Sequence, residues 1–266
     1  MKLGLAQMTS TDDVQANLRQ MIDLYSRAAD QGSDLVVFPE NSLYFRLQPG
    51  AKLMSLSVDS PEIQRLRELV ERRNAGLMLT TAMDGTGGKA RNSTLLLDRG
   101  QAPRIVYSKI HLFDVDVDGA PSVRESDHFL NGEGPATVSF RGWEIGLSIC
   151  YDLRFAELYL RYAHEVDLIL VPSAFLVPTG QAHWHVLLRA RAIEGQCFVA
   201  APAQSGEHRS LNGTIRKTYG HSLAVDPWGR VLAEVLDAPA VQVVELAKEL
   251  IAKVRQQIPM KKHRRL

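Results

Sequence analysis

Residues 145–155 read I-G-L-S-I-C-Y-D-L-R-F, an apolar run that ends in a cysteine and turns at once into a polar, charged segment. The apolar part predicts a buried strand over 143–150, and the segment after it predicts a helix over 155–164. Cysteine is among the most frequently buried residue types, so Cys150 taken alone is expected to be a packed core residue. The alternative is a thiol presented for chemistry, and the rest of the sequence decides between the two.

Strand-like and helix-like segments alternate along the rest of the chain. Apolar residues recur with helical period between Asp12 and Gly32, and Ser60-Pro61 has the N-cap and first-turn residues of a second helix. A fourth helix is predicted at 180–196, and further strands are predicted at 2–8, 34–38, 77–83, 92–98, 103–107, 137–140, 166–172, 197–203, 221–225, 230–235 and 240–245. Helices that alternate with very apolar strands predict a layered α/β protein in which helices cover the sheets.

The composition is that of an ordinary globular protein and argues against several classes of partner. Of the 266 residues, 45% are hydrophobic and 23% are charged, and the formal net charge is +1. A charge so close to zero argues against nucleic acid or an anionic membrane surface as the main partner. The basic run K-K-H-R-R-L at 261–266 is typical of a solvated terminus.

The cysteine count and the apolar runs predict a soluble cytoplasmic protein. The two cysteines, Cys150 and Cys197, do not make a disulfide framework and suit a reducing compartment. The N-terminal segment becomes acidic before the core of a signal peptide could form. No apolar run approaches the roughly 18 residues that span a bilayer.

Three reactive side chains each follow an apolar strand directly. Glu40 closes D-L-V-V-F-P-E, Lys109 closes R-I-V-Y-S-K and Cys150 closes I-G-L-S-I-C. Alone, Glu40 is explained as a turn carboxylate and Lys109 as a solvated lysine. Ligands gather at the carboxyl ends of strands in layered α/β folds, so the three can converge there. Together they suit thiol chemistry, because a carboxylate can take the proton of a thiol and an ammonium can stabilise the thiolate and a later oxyanion.

Histidines offer an alternative Cys-His arrangement or a metal site. His111, His183, His185 and His221 are all available. However, His183 and His185 flank Trp184 and lie two positions apart on a predicted helix, so they point in different directions. That spacing is poor for zinc and no cysteine cluster accompanies it, so neither a metal nor a cofactor is predicted.

Three motifs taken together resemble the nitrilase superfamily of carbon–nitrogen hydrolases. They are F-P-E-N at 38–41, Y-S-K-I-H-L-F-D at 107–114 and G-L-S-I-C-Y-D-L-R-F at 146–155, in the order and spacing of that superfamily's Glu-Lys-Cys triad. The resemblance covers essentially the whole chain as one domain, 1–266, with a C-terminal helix and basic tail at about 246–266. It implies a four-layer α-β-β-α sandwich, in which helices cover two central mixed sheets, and assembly as a homodimer or higher homo-oligomer.

The resemblance also implies roles for individual residues. Cys150 corresponds to the nucleophile, Glu40 to the general base and Lys109 to the cation that stabilises the tetrahedral intermediate. Glu125, in S-V-R-E-S-D, corresponds to a second glutamate that orients Lys109 or assists proton transfer. The backbone N–H of Tyr151 corresponds to an oxyanion donor.

Further motifs narrow the resemblance to the branch that contains deaminated glutathione amidase and ω-amidase. They are P-T-G-Q-A-H-W at 178–184, L-L-R-A-R-A-I-E at 187–194 and Y-G-H-S-L-A-V-D-P-W-G at 219–229. Two residues depart from the usual pattern of the branch: Ala156 stands where one group has proline, and His185 stands where both have glutamate. His185 bears on substrate preference.

The implied activity is hydrolysis of a small carboxylated amide to a carboxylic acid and ammonia through a cysteine thioester, without a cofactor. Deaminated glutathione is the expected substrate. The open alternatives are an ω-amidase acting on 2-oxoglutaramate or 2-oxosuccinamate, a nitrilase and an N-carbamoyl hydrolase. A non-catalytic scaffold is a further alternative, which the intact triad argues against.

Contacts to the substrate are expected from four residues between the nucleophile motif and the predicted helix 180–196. They are Arg154, His183, Ala174 and Phe175. Arginine suits carboxylate recognition because its guanidinium can donate two parallel hydrogen bonds. An ion pair with Glu157 or another nearby carboxylate is the alternative role for Arg154. Arg216 and Lys217 are secondary candidates.

Overall fold

Two six-stranded sheets pack face to face at the centre of the protein, and helices cover the outer face of each sheet. The computed structural model describes residues 1–48, 50–116 and 122–265. This arrangement confirms the predicted four-layer α-β-β-α sandwich.

The first sheet has the strand order β16-β1-β2-β3-β4-β5 and the second has the order β15-β14-β11-β10-β9-β8. Both sheets are mixed, because the central strands β1-β2-β3 and β9-β10-β11 run parallel while their outer neighbours run antiparallel. The strands are β1 Lys2–Gln7, β2 Leu35–Val37, β3 Gly76–Asp84, β4 Ala90–Leu97, β5 Arg104–Ser108, β6 Asp114–Val115, β7 Val123–Arg124, β8 Ala136–Phe140, β9 Trp143–Leu147, β10 Leu168–Leu170, β11 Phe198–Ala201, β12 Ser205–Arg209, β13 Ile215–Tyr219, β14 Ser222–Val225, β15 Val231–Val235 and β16 Ala240–Glu245.

The helices divide between the two sheets. They are α1 Val14–Asp30, α2 Pro61–Arg72, α3 Ala156–Tyr162, α4 Val177–Gly195, α5 Lys248–Gln257 and α6 Met260–His263, with a 3₁₀ helix at Cys150–Arg154. Helices α1 and α2 contact the first sheet, whereas α4 contacts the second sheet and α3. Helix α1 begins where the Asp13 carboxylate accepts the backbone N–H of Ala16 at 2.9 Å, and α2 has Pro61 at its first position, as predicted.

Strand β1 contributes side chains to two hydrophobic clusters, one on each face of the first sheet. Leu3 and Leu5 belong to the cluster between the two sheets, whereas Ala6 and Met8 belong to the cluster beneath α1 and α2. Gly4 lies under α1, where an added Cβ would come within 2.9 Å of the Ala28 Cβ. The missing side chain therefore allows α1 to approach the sheet.

The largest departure from the predicted elements lies at the cysteine motif. The strand predicted over 143–150 ends at Leu147, and Cys150 begins the 3₁₀ helix. Cys150 has φ +48°, in the left-handed region that favours glycine. The thiol therefore lies on a sharp turn between strand and helix, which no periodicity in the sequence indicates.

Two short hairpins were also absent from the predicted elements. They pair β6 with β7 and β12 with β13. Residues 205–219 are mostly polar or exposed, so they lack the apolar alternation on which the strand predictions depend. Their pairing is decided by contacts with the rest of the fold, including the backbone hydrogen bond from Tyr219 to Phe175 at 2.9 Å.

The C-terminal segment contains α5 and α6. Helix α5 buries Ile251 and Val254, and Arg255 donates to the backbone carbonyl of Val166 at 2.7 Å. Among the residues that the structure describes, no helix combines the length and the apolar character that crossing a membrane requires.

Candidate active site

Glu40 lies in the turn that follows β2 and is buried. The turn is held by Gln204, whose side-chain amide donates to the Glu40 backbone carbonyl at 2.9 Å, and by a short hydrogen bond from Ser42 Oγ to the carbonyl of Pro39. Asn41 completes the turn with φ +60°. The carboxylate is thus carried by a rigid turn at the carboxyl end of a central strand.

Lys109 follows β5 directly and is 1% exposed. Its ammonium contacts two carboxylates, lying 3.0 Å from Glu40 Oε1 and 2.8 Å from Glu125 Oε2. Burial lowers the pKa of Lys109, but the charges of Glu125 and Glu40 outweigh it, so that the pKa lies well above its usual value. Lys109 is therefore a cation throughout the neutral pH range.

Glu125 comes just after β7 and holds Lys109 with both carboxylate oxygens. The same side chain accepts the backbone N–H of Phe113 at 2.7 Å. Burial raises the pKa of Glu125; Lys109 opposes the rise and Glu40 adds to it. Two carboxylates therefore share the one ammonium of Lys109.

The Cys150 thiol is buried at the turn after β9. Its backbone N–H donates to the carbonyl of Pro172 at 3.0 Å, and the backbone N–H of Ala174 donates to its sulfur. Burial raises the pKa of Cys150 well above its usual value, Glu40 raises it further and Lys109 opposes them. The resting group is thus a neutral thiol, which needs a base before it can act as a nucleophile.

The turn at Cys150 is held by Asp152, which the sequence did not indicate. This fully buried carboxylate accepts the Tyr107 hydroxyl at 2.7 Å and the backbone N–H groups of Ile149 at 2.9 Å and His111 at 3.0 Å. The His111 ring also contacts it, at 2.7 Å. His111, one of the histidines considered for a Cys-His pair, thus supports the turn through Asp152.

Asn92 is a second residue that the sequence analysis missed. Its side-chain amide donates to Glu40 Oε1 at 2.8 Å, and its backbone carbonyl accepts the N–H of Lys109 at 2.8 Å. Asn92 begins the predicted strand 92–98 and has polar neighbours on both sides, so no local pattern marks it; only its burial in the fold requires its amide to find a partner.

Four predicted residues, Glu40, Lys109, Glu125 and Cys150, line one cavity. Its volume is about 70 Å³. At about 10–15 Å³ for each water molecule, it admits roughly five waters, or the reacting end of a small substrate. Glu40, Lys109 and Glu125, which come from distant parts of the chain, therefore lie in the same cavity as the predicted nucleophile Cys150.

Arginines line the same cavity. Arg46, Arg124 and Arg216 all border it. Arg124 is engaged with Asp116 at 2.7 Å, whereas the Arg216 guanidinium lies 5.0 Å from the centre of the Phe45 ring. Burial lowers the pKa of Arg216, and the negative groups of the site oppose this. Arg216, a secondary candidate for substrate binding, lies in β13.

The predicted substrate contacts lie on the other side of the cysteine. Arg154, Phe175 and Ala174 line a smaller recess that also borders Cys150, together with the Tyr151 side chain, and Ala174 lines the main cavity as well. Arg154 donates to His183 Nδ1 at 2.9 Å, and its guanidinium lies 5.3 Å from the centre of the Phe175 ring. Its partner is therefore His183, and the alternative ion pair with Glu157 is wrong.

The metal-binding capacity of this cavity is low, because its anionic groups already surround Lys109. In the described part of the chain, the one group of three donor side chains close enough to share an ion is His185, His221 and Glu234. None of these three residues lines the cavity.

A family model described as carbon-nitrogen hydrolase matches residues 2–256. The chain is a carbon–nitrogen hydrolase. The match confirms the resemblance drawn from the three motifs, and the enzyme acts on carbon–nitrogen bonds other than peptide bonds.

Individual relatives of the hydrolase agree with this family. A deaminated glutathione amidase from Synechocystis is 35% identical over 264 residues, which cover 97% of this chain and 96% of the relative. The crystal structure of the Caenorhabditis elegans NitFhit protein superposes with a TM-score of 0.87 at 32% identity, and covers 99% of this chain and 65% of that one. Saccharomyces cerevisiae Nit3, described as a member of branch 10 of the nitrilase superfamily, has a TM-score of 0.82 at 28% identity, with coverage of 100% and 97%.

Proposed function

We propose that this carbon–nitrogen hydrolase is an amidase that cleaves a small carboxylated amide through a thioester on Cys150, with deaminated glutathione as its substrate. The observation that carries the proposal is the shared cavity, in which the Cys150 thiol, the Glu40 carboxylate and the Lys109 ammonium meet. The names of full-length relatives support the choice of substrate.

The first half of the proposed reaction forms the thioester. Glu40 takes the proton of Cys150, and the sulfur attacks the amide carbonyl carbon. The negative charge that develops on the carbonyl oxygen is stabilised by the Lys109 ammonium and by the backbone N–H of Tyr151. The carbon–nitrogen bond then breaks as Glu40 returns its proton to the departing nitrogen, which leaves an acyl group on the sulfur.

The second half releases the acid. Glu40 takes a proton from water, and the oxygen of that water attacks the thioester carbonyl. The carbon–sulfur bond breaks, the thiolate regains the proton from Glu40 and a carboxylic acid departs. Glu40 thus serves twice, and Glu125 keeps Lys109 positioned and charged in both halves.

The position of Arg216 favours a substrate that carries a carboxylate. Lys109 already has two carboxylate partners, and Arg154 is engaged with His183 and Phe175. Arg216 borders the main cavity and contacts an aromatic ring, which leaves its donors available to an incoming anion. We therefore assign carboxylate recognition to Arg216 in preference to Arg154.

The chemistry of deaminated glutathione changes the expected leaving group. Its amide nitrogen belongs to cysteinylglycine, so hydrolysis releases that dipeptide and 2-oxoglutarate. Ammonia is released only from a primary amide such as 2-oxoglutaramate, the ω-amidase substrate. Nitriles and N-carbamoyl amino acids are the remaining alternatives, because their carbon atoms also accept thiolate attack.

The decisive experiment compares these substrates on one enzyme. Deaminated glutathione, 2-oxoglutaramate, a nitrile and an N-carbamoyl amino acid are each supplied, and 2-oxoglutarate, ammonia and cysteinylglycine are measured. The highest kcat/KM is expected for deaminated glutathione, and mass spectrometry during turnover should find the acyl group on Cys150. Cys197, which is fully buried, provides the matched control: Cys197→Ala should keep the activity that Cys150→Ala loses. Full activity in Cys150→Ala would exclude the mechanism.

We also propose that the enzyme works as a cytoplasmic homodimer. Helices α3 and α4 carry exposed apolar side chains at Leu160, Val186 and Ile193, of which Val186 is 68% exposed. Light scattering should give twice the monomer mass. Val186→Glu should give the monomer mass if this face forms the interface, and an unchanged mass would exclude it.

A further inference from the structure

Helix α4 and the β14–β15 hairpin bring three metal-ligand side chains together outside the active site. His185 comes from α4, His221 from the residue before β14 and Glu234 from β15. His185 Nε2 lies 2.9 Å from Glu234 Oε1, and His221 Nδ1 lies 2.7 Å from the same oxygen. All three donor atoms lie within 4.8 Å of one another.

The backbone around His221 directs its ring toward this point. His221 has φ +57°, an uncommon conformation for a residue with a side chain. The indole N–H of Trp184 donates to the His221 carbonyl at 2.7 Å, and Gln7 Oε1 accepts the N–H of Ser222 at 2.8 Å. Two buried side chains therefore hold a backbone conformation that the isolated sequence would rarely adopt.

The same turn of helix α4 explains why His185 belongs to the cluster with His221 and Glu234 and why His183 does not. Trp184 is fully buried between them, so the two histidines leave the helix in different directions, as the sequence predicted. His183 contacts Arg154, whereas His185 turns toward Glu234. The sequence analysis counted against zinc because of the H-W-H spacing and the lack of a cysteine cluster; in the structure, the hairpin supplies two ligands to His185 that are not cysteines.

The donor set and its spacing suit Zn²⁺. Nitrogen and oxygen ligands about 2.0–2.2 Å from a tetrahedral zinc ion lie about 3.3–3.5 Å from one another. The two short contacts to Glu234, at 2.9 Å and 2.7 Å, therefore need to open by about 0.4–0.8 Å. The side chains are 34%, 31% and 32% exposed, so they are free to make this adjustment and leave room for water as a fourth ligand. Imidazole favours zinc over magnesium and calcium.

We propose that His185, His221 and Glu234 bind a zinc ion that links helix α4 to the β14–β15 hairpin. Two neutral imidazoles and one carboxylate neutralise one of the two positive charges of the ion, and water occupies the open position. The site is separate from the proposed amidase chemistry, since none of its ligands borders the cavity at Cys150. It replaces the expectation that the chain binds no metal.

The test measures zinc binding by the full-length protein after treatment with a chelator. The Cys150→Ala background is used throughout, so that the active-site thiol cannot bind the ion. Calorimetry with ZnCl₂ should give one ion for each chain. His185→Gln and Glu234→Gln should each weaken binding at least about tenfold, since even the loss of an outer-shell partner typically costs 10- to 100-fold. His263→Gln, an exposed histidine on α6, is the matched control and should bind as the parent does.

A second measurement does not depend on the variants. Cobalt(II) added to the parent protein should give the intense visible absorption of a four-coordinate ion, and equimolar zinc should abolish it. A parent that binds no zinc, or variants that bind it as tightly as His263→Gln does, would overturn the proposal. The three side chains would then form only a hydrogen-bonded network, with both imidazoles donating to Glu234.

Discussion

Asn92 donates a hydrogen bond to Glu40 on the same oxygen that accepts Lys109. The Asn92 amide lies 2.8 Å from Glu40 Oε1 and the Lys109 ammonium lies 3.0 Å from it. One carboxylate oxygen is therefore held from two sides, by a neutral donor on β4 and a cation after β5. In the proposed mechanism, this arrangement fixes the orientation in which Glu40 takes the proton of Cys150.

Replacing Asn92 should slow the chemistry more than it weakens substrate binding. We expect Asn92→Ala to lower kcat about 10- to 100-fold with little change in KM, because a hydrogen bond to a charged group is worth about 1.5–3 kcal/mol. Steady-state kinetics and a pH profile measure the effect. Asn74→Ala, an exposed asparagine, is the control and should be unaffected. A rise in KM alone would contradict the positioning role.

Removing the Lys109 charge should destabilise the fold as well as the transition state. Lys109→Met leaves Glu40 and Glu125 close together without their shared cation. We expect a loss of about 3–5 kcal/mol in the free energy of unfolding, the usual cost of breaking a buried ion pair. Urea unfolding measures it, with Lys253→Met as the exposed control.

A second substitution separates stability from activity. Glu125→Gln added to Lys109→Met removes one of the uncompensated charges, so part of the lost stability should return. Amidase activity should stay absent, because the oxyanion still lacks its cation. Recovery of activity in the double variant would show that Lys109 has only a structural role.

Arg216 should determine the preference for carboxylated substrates. We expect Arg216→Ala to raise KM for deaminated glutathione about 10- to 100-fold, as the loss of a charge-assisted hydrogen bond typically does. A neutral amide of the same length should be cleaved as before. Lys217→Ala is the matched control, because that neighbouring side chain is exposed and pairs with Glu207 at 2.8 Å. Equal effects of the two substitutions would exclude recognition by Arg216.

Alkylation of Cys150 by iodoacetamide should respond in opposite directions to its two charged neighbours. Burial, with a further contribution from Glu40, raises the pKa of this thiol, and Lys109 lowers it. At any pH below that pKa, Glu40→Gln should therefore increase the thiolate fraction and the alkylation rate, and Lys109→Met should decrease both. Rates are measured between about pH 7 and pH 9, where each unit changes the thiolate fraction about tenfold.

The same variants distinguish a base from a passive charge. Glu40→Gln should lose the hydrolysis of substrate amides even though Cys150 is alkylated faster. The glutamine side chain cannot accept the proton of the thiol or of the attacking water. The Cys197→Ala background leaves one thiol to follow. Slower alkylation in Glu40→Gln would contradict the electrostatic account.

Local patterning in the sequence was sufficient for most elements of the fold. Apolar runs such as 34–38 and 77–83 predicted strands because a central strand is buried on both faces. The start of α2 was predicted from Ser60-Pro61, because proline at the first helical position has the backbone angle of a helix and needs no N–H partner there. Hairpins such as β12–β13 were missed because their strands are stabilised by neighbours distant in sequence.

The sequence by itself indicated the family through its three motifs and the layered fold through its alternating strands and helices. It also marked Glu40, Lys109 and Cys150 as candidate reactive residues, because a strand end followed by a reactive side chain is a local pattern. The tertiary structure alone decided what surrounds them: the amide that holds Glu40, the buried Asp152 beneath the turn and the arginine that faces the cavity. These contacts join residues that lie far apart in the chain. Burial then changes the pKa values of these groups and strengthens the interactions between their charges. Burial is a property of the folded protein alone.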